Sequence, residues 1–301
     1  MKIKAFVYII SAGLLWGLSC VFIHYLTPFG FTSFQLTAVR ATVAVVCLSS
    51  IALIKDRSLF RVNLKQLALL FVVGISLCLA ASLYYISIQM TSPSTAVMLL
   101  FTSPIFVEIY STVFLKEKMT LPKFLATAAV LVGCCLISGI IGDIKFDTVG
   151  IIIGLLSGLT YAIYHITARM AAEKSIPTMT TTIYAFGFAA LLALILGEPW
   201  KIVTNTCAEP FKTIPLLLGL AIFTFVIPYF LHALAVKDIP ASAVSTLGTM
   251  EPLSATLYSV MFLGEEMDAL AVVGAILILS ATVTIALTDK KEKQNNIKFS
   301  G

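Results

Sequence analysis

The chain is a succession of ten apolar runs, each about twenty residues long, separated by short polar connections. A spanning helix needs that length, because the hydrocarbon core is roughly 30 Å thick and each helical residue rises about 1.5 Å. The runs cover approximately 5–26, 32–54, 66–89, 93–115, 121–141, 148–168, 178–197, 213–235, 240–263 and 268–288. Charged residues are 12% of the chain and mean hydropathy is +1.01. A water-facing surface draws on roughly twice that share of charge. Strands of an outer-membrane barrel alternate in polarity over about ten residues, whereas these runs are continuous and longer. The sequence therefore predicts an all-α integral membrane protein with ten transmembrane helices.

The basic residues set the orientation. With the N-terminus in the cytoplasm, sixteen of the Lys and Arg residues fall on the cytoplasmic side: Lys2, Lys4, Lys55, Arg57, Arg61, Lys65, Lys116, Lys118, Lys123, Arg169, Lys174, Lys237, Lys290, Lys291, Lys293 and Lys298. Only Lys145, Lys201 and Lys212 fall opposite, and Arg40 lies within the second run. By the positive-inside rule both termini are expected in the cytoplasm. These cations flank spans and form no aromatic-interleaved patch, so the net charge of +5 does not point to nucleic acid. Five of the six cysteines, Cys20, Cys47, Cys78, Cys134 and Cys135, sit in apolar runs as small hydrophobes, with only Cys207 in a polar loop. Neither a disulfide framework nor a metal site is expected. The first run lacks a polar cleavage context, and Gly17-Leu18-Ser19 before Cys20 is a poor lipoprotein signature, so it is expected to be a retained helix. A hydrophilic tail, 289–301, closes the sequence.

The two halves resemble each other. Gly13-Leu14-Leu15-Trp16-Gly17-Leu18 matches Gly154-Leu155-Leu156-Ser157-Gly158-Leu159, and His24 matches His165 at the same offset. Further on, Pro104 pairs with Pro252, Tyr110-Ser111 with Tyr258-Ser259, Phe114-Leu115 with Phe262-Leu263, Glu117 with Glu265 and Met119 with Met267. Matching Gly, Pro, Glu and His in chain order exceeds what Leu-rich helices share by composition. The expected units are 1–141 and 148–288. Each has five helices, an odd number, so the second enters from the opposite face. Such inverted repeats are a common ground plan of secondary transporters, with the substrate near the midplane between halves.

Leu14-Leu15-Trp16-Gly17, Pro104 followed by Phe114-Leu115-Lys116-Glu117-Lys118-Met119, and Glu251-Pro252 followed by Phe262-Leu263-Gly264-Glu265 carry a family likeness. Over nearly its whole length the chain resembles the ten-helix EamA-type members of the drug/metabolite transporter superfamily. The resemblance implies an inner-membrane carrier of a prokaryote, with a cavity formed by helices 1–4 and 6–9. Helices 5 and 10 would be peripheral. Family substrates include amino acids, other metabolites and drugs, often exported. The first half departs from the pattern in having Ser103 before Pro104, where the second half has Glu251.

Charge at membrane depth is costly and faces a cavity or a partner, which singles out Arg40, Glu108 and Glu251. Glu251 precedes Pro252, which leaves the carbonyl of Gly248 without its helical donor. Glu108 lies one turn beyond Pro104 on the same face, and Thr256 is its counterpart in the second half. It can bind a cationic group or a proton, or pair with Arg40. Arg40 can bind a substrate carboxylate, or pair with Glu108 or Glu251. His24 and His165 are expected near helix ends, where solvent access is the simpler reading and proton relay the sharper one. Trp16, Tyr84, Tyr85, Phe101, Tyr161, Tyr164, Tyr184 and Tyr229 are candidates to line a cavity or cup an amine. Trp16 stands out because it replaces Ser157 of an otherwise identical hexad.

No H-E-x-x-H, G-x-S-x-G or Walker sequence is present. Gly139-Ile140-Ile141-Gly142-Asp143 has the wrong spacing for an intramembrane aspartyl protease. The expectation is a secondary carrier of a small molecule, an amino acid or organic amine before a drug-like cation, without cofactor or metal. Its partners would be the substrate, the bilayer and, in a coupled cycle, protons. A monomer is expected, with a dimer as the alternative. A lipid-acting membrane enzyme and a sensor or scaffold subunit are the competing classes.

Overall fold

The computed structural model describes residues 2–91, 93–114, 120–137, 147–239, 241–248, 250–264, 269–281 and 283–284. Among them six helices are long and apolar enough to cross a membrane: Ile3–Phe29, Phe34–Ile54, Leu64–Ile88, Thr148–Glu173, Thr178–Leu196 and Pro210–Ala235. Two shorter apolar helices are Leu121–Leu136 and Ala269–Ala281. The fourth and ninth spans are assembled from pieces, Pro93–Leu100 with Ser103–Val113, and Ala241–Gly248 with Met250–Tyr258. No strand occurs among the described residues. The protein is an all-α, multi-pass membrane protein. Its outward surface carries large apolar side chains such as Ile54, Phe71, Val113, Leu191 and Ile195, as lipid requires.

Local chemistry fixes several helix ends. Thr32 and Gln35 form a capping box, with bonds of 3.3 and 3.1 Å, that opens the second span. Asn63 and Gln66 do the same for the third, at 2.8 and 3.0 Å. Asp147 accepts from Gly150 N at 2.8 Å and starts the sixth. The connection after the seventh span holds a short helix, Pro199–Ala208, which hydropathy alone did not separate from its loop.

Four spans are irregular at depth. The first breaks between Gly17 and Ser19. The fourth breaks at Phe101 and Thr102, ahead of Pro104. The eighth widens to a π-turn over Ile222–Val226, directly ahead of Pro228, which has no N–H to give. The ninth ends in a π-turn over Ser259–Leu263, closed by Gly264 at φ 72°. Irregular backbone survives in a bilayer only where it is buried in protein or lines a cavity. The breaks in the first, fourth and eighth spans border the cavity described below.

Close helix approaches recur in both halves. A Cβ at Gly13 would meet Met250 Cβ at 2.8 Å, and one at Gly17 would overlap Ser254, so the first span lies against the ninth. A Cβ at Gly158 would meet Leu99 O and Thr102 Oγ1 at 2.6 Å, so the sixth lies against the fourth. Gly133 of the fifth span faces Gly274 O of the tenth at 2.8 Å.

One face of the protein gathers the start of the first span, the 56–63 connection, and the ends of the sixth and eighth. Thr180 and Tyr184 donate to Leu59 O and Phe60 O there, both at 2.8 Å. On this N-terminal face Ala5, Ile9 and Ala12 pack with Val236, Ile239, Val244 and Leu247 in one fully buried cluster. Arg169 donates to Val236 O at 2.6 Å and Ile239 O at 3.1 Å, and pairs with Glu173 at 2.8 Å. The opposite face holds Gly30, whose carbonyl accepts from Asn205 at 3.0 Å.

Candidate functional site

Above this packed floor lies a cavity of about 490 Å³, a size that suits a small metabolite. Its wall draws on the first four spans and the sixth to ninth, and Cys134 adds one side chain from the fifth. The lining starts at mid-depth with Trp16, Tyr161, Tyr229 and Glu251. It reaches toward the opposite face at Ile23, Thr37 and Tyr85.

Arg40 lies three residues after Thr37, so both point from one face of the second span. Its Nη2 donates to Thr37 Oγ1 at 3.1 Å, and its guanidinium carbon stands 5.4 Å from the centre of the Phe225 ring. Its Nε is buried without a hydrogen-bond partner. Glu251 lines the same cavity, yet among the described residues no ion pair joins the two. Glu108 does not pair with Arg40 either. The expected structural pairs are thus replaced by a Thr37 hydrogen bond and a cation–π contact, which leave both charges available to a third party.

The aromatic wall is continuous. Tyr229 packs on Phe225 at 4.7 Å, Trp16 at 5.0 Å, Phe186 at 5.4 Å and Tyr164 at 5.9 Å. Tyr161 and Tyr164 stack at 5.9 Å with planes 8° apart. Tyr85 meets Phe34 edge-on at 5.6 Å. Trp16 Nε1 is a second buried donor without a partner. Unsatisfied donors in a cavity wall are what an anionic ligand group can satisfy.

Of the sequence candidates, Trp16, Arg40, Tyr84, Tyr85, Phe101, Tyr161, Tyr229 and Glu251 line this cavity. Tyr164 stands behind Tyr161 and Tyr229 and lines a second, much smaller cavity toward the N-terminal face. Ser103 and Glu108 are buried in the fourth span, outside the cavity wall. Spacing put Glu108 on the Pro104 face correctly, but that face packs against protein. Tyr184 serves the 56–63 connection instead. His165 is not interfacial: it is 1% exposed, because the sixth span runs on to Glu173 and carries it about 12 Å from the helix end. His24 is exposed, as expected. His232, whose position alone suggested nothing, is fully buried beside His165. Thr37 was legible one turn from Arg40, whereas Phe225 carried no signal. Part of the family likeness, Leu115–Met119 and Glu265–Met267, lies outside the described residues, as do Gly139–Asp143 and the tail 289–301.

The broken equivalences between halves sort cleanly. Trp16 lines the cavity while Ser157 is buried and donates to Gly154 O at 2.6 Å. Glu251 lines it while Ser103 does not, and Thr256 lines it while Glu108 does not.

A profile of the EamA-like transporter family matches residues 3–139 and, again, residues 148–287. The chain belongs to the EamA-like transporter family. The two matches nearly coincide with the halves read from the sequence. The chain is 28% identical over 263 residues to the threonine/homoserine exporter RhtA of Escherichia coli strain K12, spanning 86% of this chain and 83% of that one. It is 24% identical over 226 residues to the uncharacterized transporter YwfM of Bacillus subtilis strain 168, across 75% of each. A solved crystal structure at 16% identity superposes with a TM-score of 0.79, covering 97% of this chain and 99% of that one, and shows the same fold.

Proposed function

We propose that the chain is a secondary carrier that exports an amino acid or a related organic amine across the cytoplasmic membrane of a prokaryote by alternating access. The observation that carries this reading is the unpaired Arg40 and Glu251 in one aromatic-walled cavity. A zwitterion fits such a site. Its carboxylate takes the Arg40 guanidinium and the free Trp16 Nε1 donor, and its ammonium takes Glu251 and the ring faces. The printed name of the Escherichia coli relative supports the amino-acid class.

The sixteen-to-three distribution of basic residues supports a cytoplasmic N-terminal face. On that face the Arg169 contacts and the Ile9–Val236–Leu247 cluster form the closed gate, with the cavity above it. In the opposite state the inverted halves, 1–141 and 148–288, rock so that the gate opens and the far side closes. Glu251 carries charge in the cavity and exchanges its ammonium partner during the cycle. One chain contains the whole pathway, so a monomer suffices.

Counterflow in proteoliposomes tests the reading, with a panel of amino acids, amines, cationic dyes and carboxylic acids lacking an amine. Amino acids and amines exchange, and Glu251→Gln abolishes their exchange. Exchange of plain carboxylic acids alone, or flux indifferent to Glu251→Gln, would refute the substrate class. Trp16→Phe keeps the ring but removes the indole donor. It raises the half-saturation for amino acids by roughly threefold to tenfold, the worth of one hydrogen bond, and leaves amines without a carboxylate unchanged. An equal loss for both ligand types would assign Trp16 to packing alone.

Arg169→Gln removes the charge-assisted bonds that hold the sixth span to the end of the eighth. These bonds exist only in the closed gate, so the substitution shifts the population toward the cytoplasm-open state. Binding from the cytoplasmic side strengthens by about threefold to tenfold while outward release slows. Symmetric loss of binding from both sides would show that Arg169 serves stability and not gating.

A further inference from the structure

The wall between the cavity and the cytoplasmic face contains a chain of polar groups that substrate binding does not use. His165 Nδ1 and His232 Nε2 are 3.1 Å apart, and His232 Nδ1 is 3.1 Å from Tyr164 Oη. All three side chains are buried. At one end the His165 ring packs at 4.6 Å on Tyr161, which lines the substrate cavity. At the other end Tyr164 and His232 line the small cavity, together with Ala168, Val236 and Lys237 near the cytoplasmic gate. The chain thus runs from the small cavity to the back of the Tyr161 ring, which forms part of the wall of the substrate cavity.

Its hydrogen bonds can point either way. In one arrangement the Tyr164 hydroxyl donates to His232 Nδ1, His232 Nε2–H donates to His165 Nδ1, and His165 Nε2 carries a proton. In the other His165 Nδ1–H donates to His232 Nε2, His232 Nδ1–H donates to the Tyr164 oxygen, and His165 Nε2 is bare. Both are neutral and both contain three protons. A proton arriving at bare His165 Nε2 pushes one proton across each gap and releases one from Tyr164 Oη. That passage converts the second arrangement into the first, and three protons remain. Resetting takes rotation of the hydroxyl and a change of tautomer in each imidazole, because a proton on Nε2 reaches Nδ1 only by exchange and not by turning the ring.

We propose that Tyr164, His232 and His165 form a proton conduit through the closed half of the carrier, so that substrate export is exchanged for proton entry. The inference rests on the carrier reading above. The titratable and charged groups around the conduit are Tyr161 on its own helix, Tyr229 on the helix of His232, Lys237 in the small cavity, and Arg40 and Glu251 across the Trp16 ring, which lies 5.9 Å from His232. Among the described residues no carboxylate bonds either imidazole directly. Glu251 is the carboxylate in the lining of the substrate cavity.

The test uses the full chain in proteoliposomes with a trapped pH dye. In the wild type, an outward amino-acid gradient drives proton movement in the opposite direction. In His232→Phe, which keeps an aromatic ring but no nitrogen, that movement falls by about tenfold or more while amino-acid counterflow stays within roughly twofold. Tyr164→Phe interrupts the same chain at its end and gives the same split. Equal proton movement per substrate in the wild type and both variants would overturn the proposal, as would wild-type flux without any proton movement. A readout independent of transport keeps the two readings separable. The sequence has three histidines, so 15N spectra of the imidazoles in lipid are assignable one by one. Both tautomers of His165 and His232 are expected, collapsing toward one in Tyr164→Phe. A single fixed tautomer, unmoved by that variant, removes the conduit even if transport is robust. Two tautomers in a protein that moves no compound would instead sink the carrier reading.

Discussion

Arg40→Met lowers amino-acid exchange by about 10- to 100-fold, the worth of a charge-assisted hydrogen bond of roughly 1.5–3 kcal/mol. Methionine fills much of the same volume, keeps contact with the Phe225 ring and removes the guanidinium. The fold does not depend on that charge, because Arg40 makes one side-chain bond, to Thr37, and no ion pair among the described residues. Thermal unfolding in detergent therefore changes little while exchange falls. The loss is specific to ligands with a carboxylate. An amine without one loses no partner, and with the competing cation gone it meets Glu251 in a more negative cavity. Measuring both ligand classes on one preparation decides the matter. Parallel loss of both, or a collapse of thermal stability, would move Arg40 from ligand binding to structure.

The second large effect concerns stability. Gly158→Leu lowers the unfolding midpoint in detergent sharply, with a cost of about 1–3 kcal/mol or more from overpacking. A Cβ there meets Leu99 O and Thr102 Oγ1 at 2.6 Å and Leu100 O at 3.2 Å. Two of those neighbours are backbone carbonyls of the fourth span and cannot rotate aside. Small residues at helix crossings in a membrane allow such approach, since lipid supplies no hydrophobic drive between helices. Gly187→Ala is the matched control, because nothing lies within 4 Å of its added Cβ. It leaves the midpoint unchanged or slightly raised, as alanine favours helix over glycine. Coincident midpoints for the two variants would mean that the fourth and sixth spans do not meet as closely as described.

Run length made the spans readable in advance, because every backbone group in lipid must be satisfied within its own helix. Thr32 and Asn63 begin helices where their capping boxes announce them. The breaks were less legible. Pro104 and Pro228 give reasons for two of them, but the break between Gly17 and Ser19 has no proline and depends on the ninth span packed against it. Periodicity assigns residues to a shared face and does not name the neighbour of that face. Glu108 shows this: its alignment with Pro104 was right, and the face it shares is buried against protein. His165 was misplaced for a different reason. Hydropathy falls at Thr167 and Arg169, yet the helix continues to Glu173 because Arg169 finds carbonyl acceptors on the eighth span. The pairing of His165 with His232 joins positions 67 residues apart, and nothing local in either helix records it.

The unequal members of the two halves have a consequence for kinetics. Trp16 stands in the wall, whereas Ser157, its counterpart, bonds its own helix and contributes nothing to the cavity. A carrier made of two identical inverted halves would present the same site to each side, with equal half-saturation inside and out. In the proposed alternating-access carrier the indole belongs to one half only, so its two access states would not be mirror images. Half-saturation would then differ between the faces, and detailed balance would require the maximal velocities to differ in compensation whenever no gradient drives the cycle. Gradients alone would set the direction of flux; the Trp-for-Ser difference would set only which side of the membrane responds first to a change in concentration.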